Sequence, residues 1–237
     1  MTARKFNRTK GRIEWAGYSW NPVTGCLTGC PYCYAREIAA RFPVMFHNFQ
    51  PWFYPERLAA PRNTRRRASD NPADRNVFTC SMADLFGPWV PAEWIDAVMD
   101  AVRSAPEWNF IFLSKFPQRM AAVEWPDNAL IGATVDTQAR VKTTEDAFAA
   151  IPARVKFISI EPMLEPIRFD RPEVFDWYIL GGRRLTAKLP AFVPPAEWRE
   201  NLFRQARGVG ALVFQKENLG VPEAERIREF PEALKNA

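Results

Sequence analysis

The sequence predicts an α/β fold, a partial or complete (β/α) TIM-like barrel of six to seven parallel strands. Short apolar runs recur along the chain, as expected of strands buried on both faces of a sheet. Amphipathic segments with helical spacing separate most of these runs. The predicted strands are 13–20, 77–81, 109–114, 130–135, 155–160, 177–180 and 211–215. A doubly wound sheet is the alternative arrangement.

The predicted helices follow from apolar residues at helical spacing and from proline at helix ends. Pro43 ends the first helix, and Pro91 suits the first turn of the second. The helices span 34–42, 91–105, 118–123, 137–151 and 195–207. With 237 residues and 47% hydrophobic side chains, the chain suits a single domain over 1–237. It begins with a basic N-terminal lead, 1–12, and ends with a C-terminal extension, 218–237.

Composition and charge restrict the location and the partners of the protein. No run approaches the roughly 20 apolar residues that a membrane span needs, and the basic lead lacks the apolar segment of a secretory signal. We therefore expect a cytoplasmic protein with no membrane partner, whose thiols stay reduced. A formal net charge of +5 tolerates a phosphate-bearing partner without requiring one. Four cysteines are too few for a disulfide framework, so metal binding or catalysis explains them better.

Three of the four cysteines form one short motif between the first predicted strand and the first predicted helix. Cys26, Cys30 and Cys33 have the spacing C-x3-C-x2-C, which lets their thiolates converge on zinc or on an iron–sulfur cluster. Structural zinc prefers four protein ligands, and Cys80 is the only other cysteine. One hypothesis is therefore a zinc-stabilised nucleic-acid-binding or interaction domain that uses all four. In the alternative, Cys80 is a small buried hydrophobic residue.

Polar residues and glycines follow the predicted strands at the point where each strand ends. Chemistry in a barrel takes place at the carboxyl ends of the strands, so these residues are candidates for the functional site. They are Ser81, Asp84, Ser114, Lys115, Thr134, Asp136, Glu161, Gly181, Gly182, Lys216 and Glu217. Four of them have a structural alternative: Asp84 as the cap of the turn that follows it, Asp136 as the N-cap of helix 137–151, and both Lys115 and Lys216 as solvated surface lysines.

The cysteine loop, with Tyr32 directly before its last cysteine, resembles the cluster-binding motif of the radical S-adenosylmethionine (SAM) superfamily. Further segments resemble a phage- and prophage-associated radical-SAM-like family whose biological role is largely unassigned. These segments are 20–26, 55–58, 81–86, 114–120, 158–164 and 177–182. The resemblance implies a barrel of the radical SAM type with two cofactors, a [4Fe–4S] cluster and SAM. It also implies an enzyme in which the cluster, reduced by an external electron donor, cleaves SAM to a 5′-deoxyadenosyl radical.

The resemblance further implies that Cys26, Cys30 and Cys33 ligate three irons of the cluster while SAM chelates the fourth. It places SAM contacts at the cysteine loop and at the strand ends. The implied contacts are Tyr32 with the adenine, Ser81 and Asp84 with the amino group, Glu161, Gly181 and Gly182 with the ribose and adenine, and Lys115 with a carboxylate of SAM or of the substrate.

This chain departs from the family pattern at the predicted mouth of the barrel. Arg183 and Arg184 stand where an acidic and a small residue are usual, and Phe116 stands where a basic residue is usual. Two arginines favour an anionic substrate, and we expect a nucleotide or a nucleic acid, with a protein or peptide as the alternative. The aromatic-rich segment 42–54 is either a lid over this mouth or part of the core. A barrel that binds a cluster without catalysis is a further alternative, and the sequence assigns no catalytic residue.

Overall fold

The computed structural model describes residues 4–66, 69 and 71–235, and its architecture is mixed α/β. The strands are β1 (Asn7–Arg8), β2 (Tyr18–Trp20), β3 (Val23–Thr24), β4 (Trp52–Phe53), β5 (Asn76–Thr79), β6 (Asn109–Ser114), β7 (Ala129–Thr134), β8 (Lys156–Ile160), β9 (Trp177–Leu180) and β10 (Leu212–Gln215). The helices are α1 (Tyr34–Arg41), α2 (Ala60–Asn63), α3 (Ala92–Arg103), α4 (Pro117–Met120), α5 (Val141–Ala150), α6 (Ala196–Gly208) and α7 (Glu232–Lys235).

Eight strands form the main sheet in the order β1-β2-β5-β6-β7-β8-β9-β10. All pairs from β2 to β10 are parallel, and only β1 runs antiparallel, beside β2. Strand order therefore follows chain order, which brings the carboxyl ends of seven strands to one edge. Strands β3 and β4 form a separate antiparallel pair. The α/β class with seven parallel strands agrees with the prediction.

The sheet is open, so the structure supports only the partial form of the predicted barrel. In the described part of the chain, β10 pairs with β9 and with no second strand. The free edge of β10 is instead covered by the segment after it: the Gln215 amide donates to the Ile227 carbonyl (2.8 Å), and the Glu229 amide to the Val213 carbonyl (3.0 Å). Residues 227–229 therefore form backbone hydrogen bonds with β10 that a neighbouring strand would form in a closed barrel.

The first predicted strand, 13–20, is too long, because only Tyr18–Trp20 is extended in the sheet. The residues before it cross one face of the sheet, where Trp15 packs on Phe78 (ring centroids 4.8 Å apart) and on Phe157 (6.3 Å). Leu234, in the predicted C-terminal extension, is fully buried in the same cluster. The segment before β2 and helix α7 thus cover this face, while α3, α5 and α6 pack on the other. The extent of the domain, 1–237, stays a prediction.

Two predicted helices are also shortened in the structure. Helix 118–123 reduces to α4, and helix 137–151 begins only at Val141, after a 3-10 turn at Gln138–Arg140. No helix in the described ranges has the length and apolar character to cross a membrane.

Candidate active site

The cysteine loop is held against the sheet by close backbone contacts. Gly25 has φ +87°, and its amide donates to the Met82 carbonyl at 2.9 Å. A Cβ on Gly25 would lie 2.0 Å from the Gln50 carbonyl oxygen, so only glycine fits at this position. The Cys26 amide donates to the Phe49 carbonyl at 3.2 Å. The loop is therefore enclosed between segments 49–51 and 82–83.

The three loop thiols are free and half-buried, and they lie close enough to act on one another. Cys33 is the N-cap of α1, where its sulfur accepts a hydrogen bond from the Arg36 amide (3.4 Å). Burial is the main cause that raises the pKa values of Cys26 and Cys30, and the neighbouring loop thiols add to the effect. No set of three or more Cys, His, Asp or Glu side chains in the described ranges is placed to hold a metal ion. The predicted convergence of the three thiols on one point is therefore not seen, although three thiols are the donor type of iron–sulfur ligation.

Cys80 does not join the loop thiols. Its side chain is buried in the helix-side core, whereas Cys26 and Cys33 pack on a separate cluster that contains Phe49 and Met82. Burial raises the pKa of Cys80 to about 12, which favours a neutral thiol over a thiolate ligand. The four-cysteine zinc site is therefore not assembled, and Cys80 behaves as a small buried hydrophobic residue.

A compact polar network connects the cysteine loop with the ends of β6 and β7. The Tyr32 hydroxyl donates to Asp136 and accepts from Lys115 Nζ (2.8 Å), which also donates to Asp136 Oδ2 (2.8 Å). Arg140 Nε donates to Asp136 Oδ1 at 2.7 Å. Burial disfavours the charged form of Asp136, but these partners, Lys115 first, hold its pKa below the ordinary value.

Asp136 is therefore not an N-cap, and that alternative is wrong. Thr137 is the residue that precedes the 3-10 turn, and its side chain makes no capping bond. The alternative of a solvated surface lysine is also wrong for Lys115, because its side chain is only 11% exposed.

The two residues predicted to contact the SAM amino group, Ser81 and Asp84, follow β5 and form hydrogen bonds within the protein. Asp84 accepts from Ser114 Oγ (2.6 Å), from the Lys115 amide (2.9 Å) and from the Phe86 amide (3.2 Å). The last of these bonds is the turn cap considered as the alternative, and the other two tie β5 to β6. Ser81 Oγ donates to Asn21 Oδ1 (3.2 Å). Sequence reasoning missed Asn21, although it lies in the conspicuous segment 20–26.

The ends of β8, β9 and β10 form a second polar group. Lys216 Nζ donates to Glu161, forming an ion pair in which the lysine is nearly buried. A Cβ on Gly181 would lie 3.1 Å from Asn218 Oδ1 and 3.2 Å from Glu161 Cγ, so the glycine allows these groups to approach. Asn218 Nδ2 donates to the Gly182 carbonyl (2.7 Å), while its Oδ1 is buried without a hydrogen-bond partner among the described residues. Sequence reasoning missed Asn218, because only the fold brings it beside the double glycine.

The two arginines that depart from the family pattern have local partners. Arg184 pairs with Glu217 (2.9 Å) and approaches Glu14 (3.8 Å). The Arg183 side chain donates to the Pro190 carbonyl (3.0 Å), within a hairpin in which residues 183 and 192 pair. The carboxylates compensate the charge of Arg184, whereas the neutral carbonyl leaves the charge of Arg183 uncompensated. The contacts of Arg184 therefore do not support the expectation of an anionic substrate.

Segment 42–54 is partly packed and partly exposed. Phe49 is buried against the cysteine loop, and Phe53 stacks on Trp94 (5.4 Å). Val44 is 89% exposed, whereas Trp52, about half exposed, stacks on His47 (3.9 Å). Core packing explains the first two aromatics, and the lid stays a prediction.

Comparison with known proteins gives a family and a fold. The model of the family DUF5131, described as a protein of unknown function, matches residues 10–225. No curated protein matches. Among solved structures, a tyrosine-to-phenylalanine mutant of spore photoproduct lyase aligns with a TM-score of 0.57 and 14% identity over 90% of this chain and 79% of that one. The same lyase complexed with dinucleoside spore photoproduct gives a TM-score of 0.54 and 13% identity over 91% and 80%. At this identity the likeness shows the fold alone, and the phage association stays a prediction.

Proposed function

Because the chain belongs to the DUF5131 family of proteins of unknown function, we propose from its own residues that it is a radical SAM enzyme, and that it modifies a nucleotide or nucleic acid. The observation that carries the proposal is the cysteine loop at the carboxyl edge of an open parallel sheet, bonded through Tyr32 to the ends of β6 and β7. The resemblance of the cysteine motif to that of the radical SAM superfamily and the fold shared with spore photoproduct lyase support the proposal.

Cys26, Cys30 and Cys33 would hold the cluster. When bound, it would supply one electron from an external donor to the sulfonium of SAM, whose C5′–S bond then breaks to give methionine and a 5′-deoxyadenosyl radical. The chain's own part is to enclose the loop: Phe49 and Met82 cover Cys26 and Cys33 with apolar surface. Such a surface limits the access of water to the site.

The ends of β8, β9 and β10 would bind the nucleoside part of SAM. The Glu161 carboxylate, held by Lys216, is an acceptor suited to ribose hydroxyls. The unpartnered Asn218 Oδ1 beside Gly181 offers a second acceptor, suited to a ribose hydroxyl or to the exocyclic amine of adenine. Because a buried acceptor without a donor is costly, a ligand that supplies the donor would gain affinity here.

The substrate assignment rests on two further observations. The fold neighbour has been solved with a dinucleoside photoproduct, which is a nucleic-acid fragment. The formal charge of +5 suits a phosphate-bearing substrate. SAM, an external one-electron donor and a nucleic acid or nucleotide are thus the proposed partners, in the cytoplasm.

The test begins with anaerobically purified and reconstituted protein. We expect about four irons and four sulfides per chain, and we expect dithionite-reduced protein to release 5′-deoxyadenosine and methionine, measured by mass spectrometry. Cys30→Ala should abolish this release, while Cys80→Ala, which removes a thiol outside the loop, should retain it.

Three outcomes contradict the proposal. One tightly bound zinc without sulfide would exclude the cluster. A fully loaded cluster that leaves SAM intact would show a binding protein without catalysis. Product formation without any mass change in added single-stranded DNA, RNA or nucleotides would remove the substrate assignment.

A further inference from the structure

The net positive charge of the chain comes from two short segments. Residues 4–12 contain five lysines and arginines, residues 57–66 contain four, and neither segment contains an aspartate or a glutamate. Since these nine cations exceed the formal net charge of +5, the rest of the chain carries a net charge of −4. An excess confined to two segments differs from an evenly basic surface, and it indicates a local contact with an anionic partner.

The fold brings these two segments together. The Phe6 amide donates to Thr64 Oγ1 at 2.9 Å, across 58 residues of the chain. Two exposed cations directly precede Phe6, and two more lie within two residues of Thr64. We call these four residues the basic surface: Arg4, Lys5, Arg62 and Arg65. Each of them is thus no more than two residues from one hydrogen bond between the segments.

The charges of the basic surface are not compensated within the described part of the chain. No carboxylate of that part lies within ion-pairing distance of its four residues, whereas the neighbouring Arg8 pairs with Asp74 (3.2 Å). Cations gathered without carboxylates repel one another. An anion with several negative groups, bound across the basic surface, would relieve this repulsion.

The basic surface borders the edge of the sheet that carries the candidate site. Arg57 Nη1 donates to the carbonyl of Asn21, directly after β2 (2.8 Å). Burial lowers the pKa of Arg57, and the charge of Arg4 adds to this effect, so the two cations are near each other. The Tyr54 amide donates to the Pro22 carbonyl (2.8 Å). Segment 54–57 therefore connects the basic surface with the residues that precede the cysteine loop.

An exposed aromatic residue lies beside the cysteine loop. In the β3–β4 pair, Trp52 is opposite Thr24, which stands two residues before Cys26. Trp52 is 47% exposed, and its ring is stacked on that of His47. A half-exposed indole supported in this way suits stacking with a nucleobase, just as the cations suit phosphates. Because stacking on a side chain requires an unpaired base, the combination favours a single strand over a duplex.

We infer that the basic surface holds the phosphate backbone of a single-stranded nucleic acid whose bases reach the site past Trp52. The inference deepens the proposed function and rests on it for the reaction, because it makes the substrate a polynucleotide rather than a free nucleotide. The phosphates displace counterions from the four cations, so the affinity depends on salt.

The experiment measures binding of a fluorescein-labelled oligothymidylate to the reconstituted protein without SAM, by fluorescence anisotropy at several salt concentrations. We expect Arg62→Gln/Arg65→Gln to weaken binding. It should also reduce the slope of log K against log salt by about 1.4, since each lost phosphate contact removes about 0.7. The matched control is Arg154→Gln/Arg204→Gln, which removes the same charge from two exposed arginines outside the two basic segments. It should keep the slope of the native protein.

Substitution of Trp52 tests the path to the site. Trp52→Ala should weaken binding about 5- to 100-fold, because a base loses its stacking partner. The salt slope should not change, since no phosphate contact is lost. Trp52→Phe keeps an aromatic ring and should retain most of the affinity. An unchanged affinity in Trp52→Ala would overturn the inference.

Three other outcomes would also overturn it. Equal losses in the two double variants would assign binding to the overall charge rather than to the basic surface. A duplex of the same length that binds more tightly would exclude a single-strand site. A protein that cleaves SAM but binds no oligonucleotide would remove the polynucleotide substrate. A protein that binds the strand with the expected slopes but takes up no cluster would instead refute the proposed function.

Discussion

Substitution of Gly25 by alanine tests whether the cysteine loop is enclosed as the structure shows. Two costs combine at this position. The left-handed φ of +87° costs an alanine about 1–2 kcal/mol. The new Cβ would also lie 2.0 Å from the Gln50 carbonyl oxygen and 2.7 Å from the Pro51 nitrogen, so backbone must move. Overpacking of this kind costs about 1–3 kcal/mol, and Gly25→Ala should lose about 2–5 kcal/mol of unfolding free energy in total.

Gly29→Ala is the matched control within the same loop. Gly29 also has a left-handed φ, +74°, but nothing lies within 4 Å of a Cβ placed there. It should therefore lose only the conformational cost, about 1–2 kcal/mol. Urea unfolding followed by tryptophan fluorescence measures both variants, and iron content after reconstitution should fall only for Gly25→Ala. Equal losses for the two variants would refute the enclosure of the loop by residues 50 and 51.

Two further predictions concern the sheet face and the polar network. Trp15→Ala should lower the free energy of unfolding by about 3–5 kcal/mol, because it leaves a cavity in the cluster that covers one sheet face. The control Val44→Ala, at an exposed position, should change it by less than about 0.5 kcal/mol. Thermal and urea unfolding compare the two variants, and similar small losses would mean that the face is not covered as described. Asp136→Asn should cost about 3 kcal/mol at pH 7, since it leaves Lys115 buried without its counter-ion. Because the folded-state pKa of Asp136 lies below the ordinary value, its ionised form stabilises the fold above about pH 4, and this contribution is lost as the pH falls through the folded-state pKa. The difference between native protein and Asp136→Asn should therefore shrink below about pH 4 in urea titrations, and a constant difference would contradict the ion pair.

Strand order and the location of the candidate site could be predicted from the sequence. Apolar runs between amphipathic segments indicate buried parallel strands, because each run must bury both of its faces. Since parallel strands share one carboxyl edge, the residues that follow them, such as Lys115 and Glu161, were expected at one edge, and the structure places them there. The cysteine motif is equally local, since its three thiols lie within eight residues.

Pairing partners could not be predicted, because they depend on contacts between distant segments. Lys115 lies 83 residues from Tyr32, and Tyr32 lies 104 residues from Asp136, so no local pattern indicates their network. The helix-cap signal at Asp136 was misleading for the same reason, because the carboxylate found stronger partners across the site. Asn218 gave no signal at all, since only the packing of the end of β10 against Gly181 brings it there.

The sequence by itself determined the α/β class, the parallel order of the strands and the three-thiol loop, since each follows from the periodicity or spacing of neighbouring residues. Only the tertiary structure decided that the sheet stays open, that Cys80 remains in the core, and that Arg184 pairs with carboxylates within the chain. The physical reason is common to all three. The neighbours of the edge strand, the thiol and the charge come from segments distant in the sequence, and packing of the whole chain decides which of them lie close.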